Sequence, residues 1–393
     1  MNPTTGDDAL RIVSARHWMV RMPFRQTIEW ASGKRTGTTR VIVELKTAAG
    51  HVGYGESICL LDFIEPVLRR VVIPLALHHR VDEAEALSRH VLGAGYYHHK
   101  RAAVMATAAV EMAMWDAFGK SCGQPLHRLW GGLFRERIEM AAYLFQSDPV
   151  VVAERAAHFA DAGYRSFKVK IGMDVDTDAP LVAAVRKTVG ERMPIRADVN
   201  SAWTPGTARR QLAKLAPYDL SYVEQPLELD DFMGHSELRK CQSVPIALDE
   251  SAYTLADVGN IVRMGAADVI LLDPHEQGGL WQTIKAAAIA EAAGIPVTLH
   301  SGAELGFSQA AYLHLAASIP NLTHSVDTEH AYLAADVVRE SFELRDGCFD
   351  VPRAPGLGVT PNMDALEQFC TSEISGAYLD DERPGWFPVK PAY

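Results

Sequence analysis

Between residues 168 and 327, ionisable side chains close a series of short apolar runs at a near-constant step: Lys168 and Lys170, Asp198, Glu224, Asp249 with Glu250, Asp273, His300 and Asp327. From Lys170 onward the gaps are 28, 26, 25, 24, 27 and 27 residues. A strand of about six residues, a helix of about 10 to 12 and two short connections fill such an interval. The spacing therefore predicts successive parallel strands, each followed by a helix, in a (β/α) barrel of the TIM type. The ionisable residues would sit at the C-terminal strand ends, where such barrels keep their chemistry. Runs at 140–144, 167–171, 195–198, 222–224, 246–249, 269–273, 297–300 and 325–327 supply the eight strands that closure requires. A nucleotide-binding fold is disfavoured, because no G-x-G-x-x-G follows a strand and no G-x-x-x-x-G-K-[ST] occurs.

A barrel takes about 250 residues, and the chain has 393. The surplus lies mostly in front. Residues 10–56 alternate apolar and polar, with Val41–Leu45 and Val52–Glu56 flanking Gly50, and read as antiparallel strands joined by a turn. Residues 102–118 are rich in Ala and Met, with Gly119 and Gly123 as stop signals, and read as a helix. We therefore expect an α+β capping domain over 1–135, the barrel over 136–355, and a C-terminal segment, 356–393, that returns to the cap.

Composition narrows the function classes. A formal net charge of −11 with no basic stripe argues against a nucleic-acid partner. No apolar run approaches the 18 residues of a membrane span, and the first 20 residues lack a signal-peptide core, so a cytoplasmic protein is expected. The five cysteines, 59, 122, 241, 348 and 370, are widely spread and form no C-x-x-C, which disfavours a disulfide scaffold or zinc ribbon.

The strand-end residues form chemical groups. Asp198, Glu224 and Asp249 or Glu250 end three consecutive strands and would converge on one point. Solvated acids or ion pairs with the lysines would explain any one of them, but three hard oxygen donors in register suit Mg²⁺. Asn200 points the same way, as a hydrogen-bond donor to substrate or to a ligand. Lys168 and Lys170 flank Val169, so both face the barrel interior. Beside a second ammonium and a metal ion, Lys170 suits the role of a base; the alternative is that both lysines are ion-pair partners of the acids. Asp273 and His300 would end adjacent strands, the arrangement in which a carboxylate orients an imidazole.

Taken in order, Lys168-Val169-Lys170, Asp198-Val199-Asn200, Glu224-Gln225-Pro226, Ala247-Leu248-Asp249-Glu250-Ser251 and the Asp273/His300 pair resemble the enolase superfamily, in its mandelate racemase/muconate-lactonizing branch. The likeness extends to Gly131-Gly132 and to Pro355-Gly356-Leu357-Gly358-Val359. It implies a modified barrel under an α+β cap, a small-molecule carboxylate substrate, Mg²⁺, and removal of the proton α to the carboxylate through an enediolate. On that carry-over Lys170 and His300 are the acid/base groups on opposite faces, with Asp273 behind His300. Lys168 neutralises the substrate carboxylate, and Asp327 or Glu329 donates a hydrogen bond to the enolate. Position 273 carries an acid where muconate-lactonizing enzymes and dipeptide epimerases have a lysine, which disfavours those chemistries. The Ala-Leu-Asp-Glu-Ser stretch favours Asp249 as the third metal ligand and leaves Glu250 open.

Most members with this residue set that resemble the chain act on sugar acids, so the resemblance implies an acid-sugar dehydratase, with a racemase or epimerase as the alternative and a cycloisomerase behind it. A non-catalytic binding barrel would have lost its inward charges. Specificity is expected from the cap: residues 21–36 read as a mobile loop over the barrel mouth, with Arg25, Trp30 and Arg35 facing a distal substrate group. Tyr96–Lys100 reads as a solvated loop, and a homo-oligomer is expected.

Overall fold

A computed structural model describes residues 6–374. Three antiparallel strands, β1 (Ile12–Trp30), β2 (Gly33–Thr47) and β3 (Val52–Ile58), form the first sheet in the order β1-β2-β3. The helix Lys100–Cys122 packs across it. Alternating glycines on β3 permit the close approach: a Cβ at Gly53 would stand 2.1 Å from the Ala113 carbonyl oxygen, and one at Gly55 2.0 Å from that of Ala109. The matching helix face is Ala109, Ala113 and Ala117, all fully buried. Gly123, at a φ of 62°, ends this helix in the left-handed conformation.

The second sheet holds the eight expected parallel strands: β4 (Arg137–Leu144), β5 (Ser166–Lys170), β6 (Ile195–Asp198), β7 (Tyr222–Glu224), β8 (Ile246–Leu248), β9 (Val269–Leu272), β10 (Val297–Leu299) and β11 (Val326–Thr328). Their order is β10-β9-β8-β7-β6-β5-β4-β11. The remaining seam, β10 to β11, is bridged through Val297 with Leu322 and by Thr298 Oγ1 donating to the Ser325 carbonyl (2.9 Å). A helix follows each of the first seven strands, completing a modified TIM barrel under an antiparallel cap. One short strand was not anticipated: β12 (Cys348–Asp350) pairs antiparallel with the start of β4.

One expectation needs correction. Residues 21–36 are the distal part of a β-hairpin: β1 runs to Trp30 and β2 starts at Gly33, with a register irregularity between Pro23 and Ile28. Arg25 and Arg35 reach the Leu333 carbonyl and Glu329 on the barrel, while Gln26, Thr27, Glu29 and Thr36 stay exposed. Tyr96–His99 forms a short 3₁₀ turn leading into the long helix.

Buried carboxylates tie cap to barrel. Glu111 accepts from the Leu280 and Trp281 backbone N–H groups (2.8 and 2.9 Å), capping the barrel helix Leu280–Ala292. Asp116 accepts from the N–H groups of Tyr54 and Leu357, both at 2.8 Å. The Arg21 N–H donates to the Phe369 carbonyl (2.9 Å), so residues 369–371 run beside β1; the expected segment beyond 374 lies outside the described residues. All five cysteines are free. Among the described residues no helix is long and apolar enough to cross a membrane.

Candidate active site

The parallel register aligns the site. Lys170 pairs with Asp198 and Asp198 with Glu224, so three ionisable residues stand at one level across β5, β6 and β7. Strand alternation turns Lys168 and Lys170 inward while Phe167 and Val169 join the core against the helices. Beyond the strand ends Asn200 and Gln225 take positive φ values of 47° and 39°, conformations that persist only when their surroundings enforce them. Gln225 accepts from the Asp249 and Ser251 N–H groups (3.1 and 3.2 Å) and so fixes the turn that presents Asp249.

Lys168 is fully buried, with its ammonium 2.5 Å from Glu224 Oε1, 2.7 Å from Asp327 Oδ2 and 3.1 Å from Asp198 Oδ2. Burial alone would favour the neutral amine, yet Asp198, Asp327 and Glu224 together raise its pKa well above the usual lysine value. Lys170 Nζ donates to Asp198 Oδ2 (2.6 Å) and to Asn200 Oδ1 (3.0 Å), beneath the rings of Tyr143 and Phe145. Burial opposes ionisation of Asp198, but the two lysines hold it far below the ordinary carboxylate range. Glu224 goes the other way: burial and then the charge of Asp198 push it well above its ordinary value.

The expected hydrogen-bonded pair of Asp273 with His300 is not formed. His300 Nδ1 stands 2.8 Å from Asp249 Oδ2 instead, at an angle too oblique for a hydrogen bond. Asp273 is drawn to its own following turn, accepting from the His275 N–H (2.7 Å) and the Tyr312 hydroxyl (2.9 Å). An Asp at a helix start satisfies an otherwise orphaned N–H, and that local demand is met first. Burial disfavours protonated His300, but Asp249 raises its pKa well above the ordinary imidazole value, with a smaller contribution from Asp273. Asp249 itself is pushed up to about 6 by burial.

The other expected residues divide. Glu329 meets Arg35 at 2.8 Å, and the Arg35 guanidinium lies over the rings of Trp30 and Phe24. Asn200 Nδ2 donates to Glu250 Oε1 (2.9 Å). Arg25 is turned away to the Leu333 carbonyl (2.8 Å), where it anchors the hairpin. Asp327 accepts from the Tyr143 hydroxyl (2.8 Å) and faces Arg196 at 3.2 Å. Tyr143, Arg196 and Gln225 were not singled out from the sequence. Tyr143 and Arg196 lie at inward positions of predicted strands, the one signal that could have found them.

The donor set fits a hard divalent cation. Glu224 Oε2, both carboxylate oxygens of Asp249 and Glu250 Oε2 are buried without a hydrogen-bond partner among the described residues, and such groups are costly unless something compensates them. Donor atoms of Glu224, His300 and Asp327 also lie within 4.8 Å of one another. The oxygens are of the kind Mg²⁺ takes.

Comparisons with known proteins identify the family. Residues 151–365 match the family described as enolase C-terminal domain-like, and residues 11–131 the mandelate racemase/muconate lactonizing enzyme N-terminal domain. The chain is 29% identical to muconate cycloisomerase 1 of Rhodococcus opacus, over 91% of this chain and 98% of that protein. It is 31% identical to a protein named "Probable glucarate dehydratase" of Streptomyces coelicolor, over 88% and 86%. A crystal structure of an enolase from Mycobacterium smegmatis complexed with tartrate superposes with a TM-score of 0.90 at 27% identity, covering 99% of this chain and 100% of the other. The chain is thus an enzyme-family member of the enolase superfamily, in its mandelate racemase/muconate lactonizing enzyme branch.

Proposed function

We propose that the protein removes the proton α to a carboxylate with the help of Mg²⁺, and that its reaction is the dehydration of an acid sugar to a 2-keto-3-deoxy acid. The observation that carries the proposal is an amine and an imidazole, Lys170 and His300, at the edges of a cluster of buried carboxylate oxygens that lack hydrogen-bond partners. Lys170 ends β5 and His300 follows β10, and the shorter way round the barrel between them passes β4, β11 and the β11–β10 seam.

The residues suit the chemistry step by step. Glu224 and Asp249, with Asp198 beside them, are the groups that would hold Mg²⁺, and when bound it would stabilise negative charge developing on the substrate carboxylate. Lys168 stays cationic among its three acids and adds positive charge without serving as a base. Lys170 accepts the C2 proton as the C2–H bond breaks. His300 gives a proton to the departing C3 hydroxyl, which leaves as water. The resulting enol tautomerises to the 2-keto acid. Position 273 holds Asp where cycloisomerisation would call for a lysine, and the 31% identical relative named for glucarate dehydration supports the same substrate class.

Return of the proton from His300 to the opposite face of C2 would give racemisation, and the two-group arrangement keeps that second reading open. Incubation with a library of acid sugars and N-acyl amino acids in the presence of Mg²⁺, followed by detection of 2-keto products and of inverted C2 centres, separates the two. The proposal expects 2-keto product from at least one sugar acid and its loss in EDTA. Inversion without any 2-keto product would replace dehydration by racemisation.

A further inference from the structure

We propose that Arg40, contributed by the cap, is a positioning residue for the imidazole side of the active site. Its guanidinium holds together the segment after β9 that carries Asp273 and the segment after β10 that carries His300. This rests on the reading of Lys170 and His300 as groups acting on opposite faces, and goes beyond it by assigning a residue from outside the barrel.

Arg40 lies on β2 and is fully buried. Its nitrogens reach three separate pieces of chain. Nε donates to Glu56 Oε1 on the adjacent β3 (2.7 Å). Nη1 donates to the carbonyl of Gly302 (3.1 Å), two residues beyond His300. Nη2 meets His275 Nε2 at 3.1 Å. The backbone N–H of that same His275 donates to Asp273, and its ring stands 3.1 Å from the same carboxylate oxygen. Glu56 balances the Arg40 charge and also accepts from the N–H groups of Leu305 and Ser308 (2.9 and 3.0 Å), at the start of the helix Gly306–Ser318. The Ser308 hydroxyl in turn contacts His275 (2.8 Å).

A buried guanidinium is costly unless every nitrogen is used. The pair with Glu56 joins two strands of the cap and balances the charge without reaching the barrel. Here the remaining two nitrogens go to the residues just past Asp273 and just past His300. The planar fork fixes their separation, which a flexible ammonium with one point of attachment cannot. No hydrogen bond among the described residues runs from Arg40 to β5 or β6, so the Lys170 side does not depend on it directly.

The test follows α-proton exchange by NMR in ²H₂O with Mg²⁺, for Arg40→Lys and, as a second variant, His275→Gln. The probes are gluconate with mannonate, and N-succinyl-L-arginine with N-succinyl-D-arginine; each pair presents its C2 proton to opposite faces. Lys170→Ala and His300→Asn establish which epimer uses which side, and thermal unfolding corrects the rates for unfolded protein. Displacing a reacting group by about 1 Å is worth about 100-fold in rate. We expect Arg40→Lys, or His275→Gln if Arg40→Lys does not fold, to slow the His300-side epimer by about 30-fold or more while the Lys170-side epimer stays within about threefold. An equal fall on both sides, or no fall on either, overturns the positioning role. Unchanged exchange in both reference variants sinks the two-face reading itself, and the role of Arg40 with it.

Discussion

Replacing Lys168 by Met tests the electrostatic balance of the site. The substitution keeps most of the stem volume and removes one charge from among three acids at 2.5, 2.7 and 3.1 Å. Two of those acids keep another cation: Asp198 retains Lys170 at 2.6 Å and Asp327 retains Arg196 at 3.2 Å. Glu224 has no other cation in an ion-pair contact among the described residues, so the loss concentrates there. Leaving one member of a buried pair uncompensated costs about 3 to 5 kcal/mol, and with two acids still served the lower end, about 3 kcal/mol, is expected at pH 8 without metal. Burial and Asp198 already push Glu224 well above the ordinary carboxyl range. A folded state with such a raised carboxyl holds its proton longer than the unfolded chain, so stability rises on acidification. The penalty should therefore shrink as pH falls from 8 to 5. Mg²⁺ at 100 times its dissociation constant adds about 2.7 kcal/mol and should recover most of the loss. Urea unfolding followed by Trp fluorescence, at both pH values and with EDTA or Mg²⁺, measures all three effects. A loss under about 1 kcal/mol at pH 8 in EDTA, or one that grows on acidification, would refute the reasoning.

Further outcomes follow from other buried carboxylates. Burial pushes Glu111 up to about 7 despite three hydrogen bonds, with Trp115 the third donor. The stability tied to its protonated form is present below its unfolded value and lost as pH rises towards 7; between pH 5 and 8 this amounts to roughly 2 to 3 kcal/mol. Glu111→Gln should flatten the wild-type pH dependence of the urea midpoint by that amount, and parallel curves would contradict it. Asp249 carries two unpartnered oxygens and Glu250 one, so Asp249→Asn should weaken Mg²⁺ binding in calorimetry by about 10-fold or more and Glu250→Gln by less than about threefold. The reverse order would make Glu250 the ligand.

The barrel was legible because seven of the eight parallel strands, all but β4, are buried on both sides and end in an ionisable residue that has no other reason to follow an apolar run. Lys168 and Lys170 could be placed inward from alternation alone, and the period ordered Asp198, Glu224 and Asp249 around the mouth. What escaped depended on contacts between distant segments. Arg35 finds Glu329 across 294 residues of sequence, and Arg40 finds Gly302 across 262; neither separation leaves a periodic trace. The hairpin reads as a loop in the sequence because three consecutive exposed polar residues, Arg25, Gln26 and Thr27, break its alternation where the register of β1 with β2 is irregular. Asp273 and His300 end neighbouring strands as expected, yet neighbouring strand ends do not settle which acid an imidazole meets: the Asp273 side chain serves the turn after β9, and Asp249 is the nearer carboxylate.

The most direct test of the account is α-proton exchange in ²H₂O with Mg²⁺, over acid sugars and α-substituted carboxylates, for wild type, Lys170→Ala and His300→Asn. The account predicts exchange that EDTA abolishes, and a loss in each variant confined mainly to one C2 configuration. Exchange that survives EDTA, or that neither substitution reduces on any active acid, would contradict it.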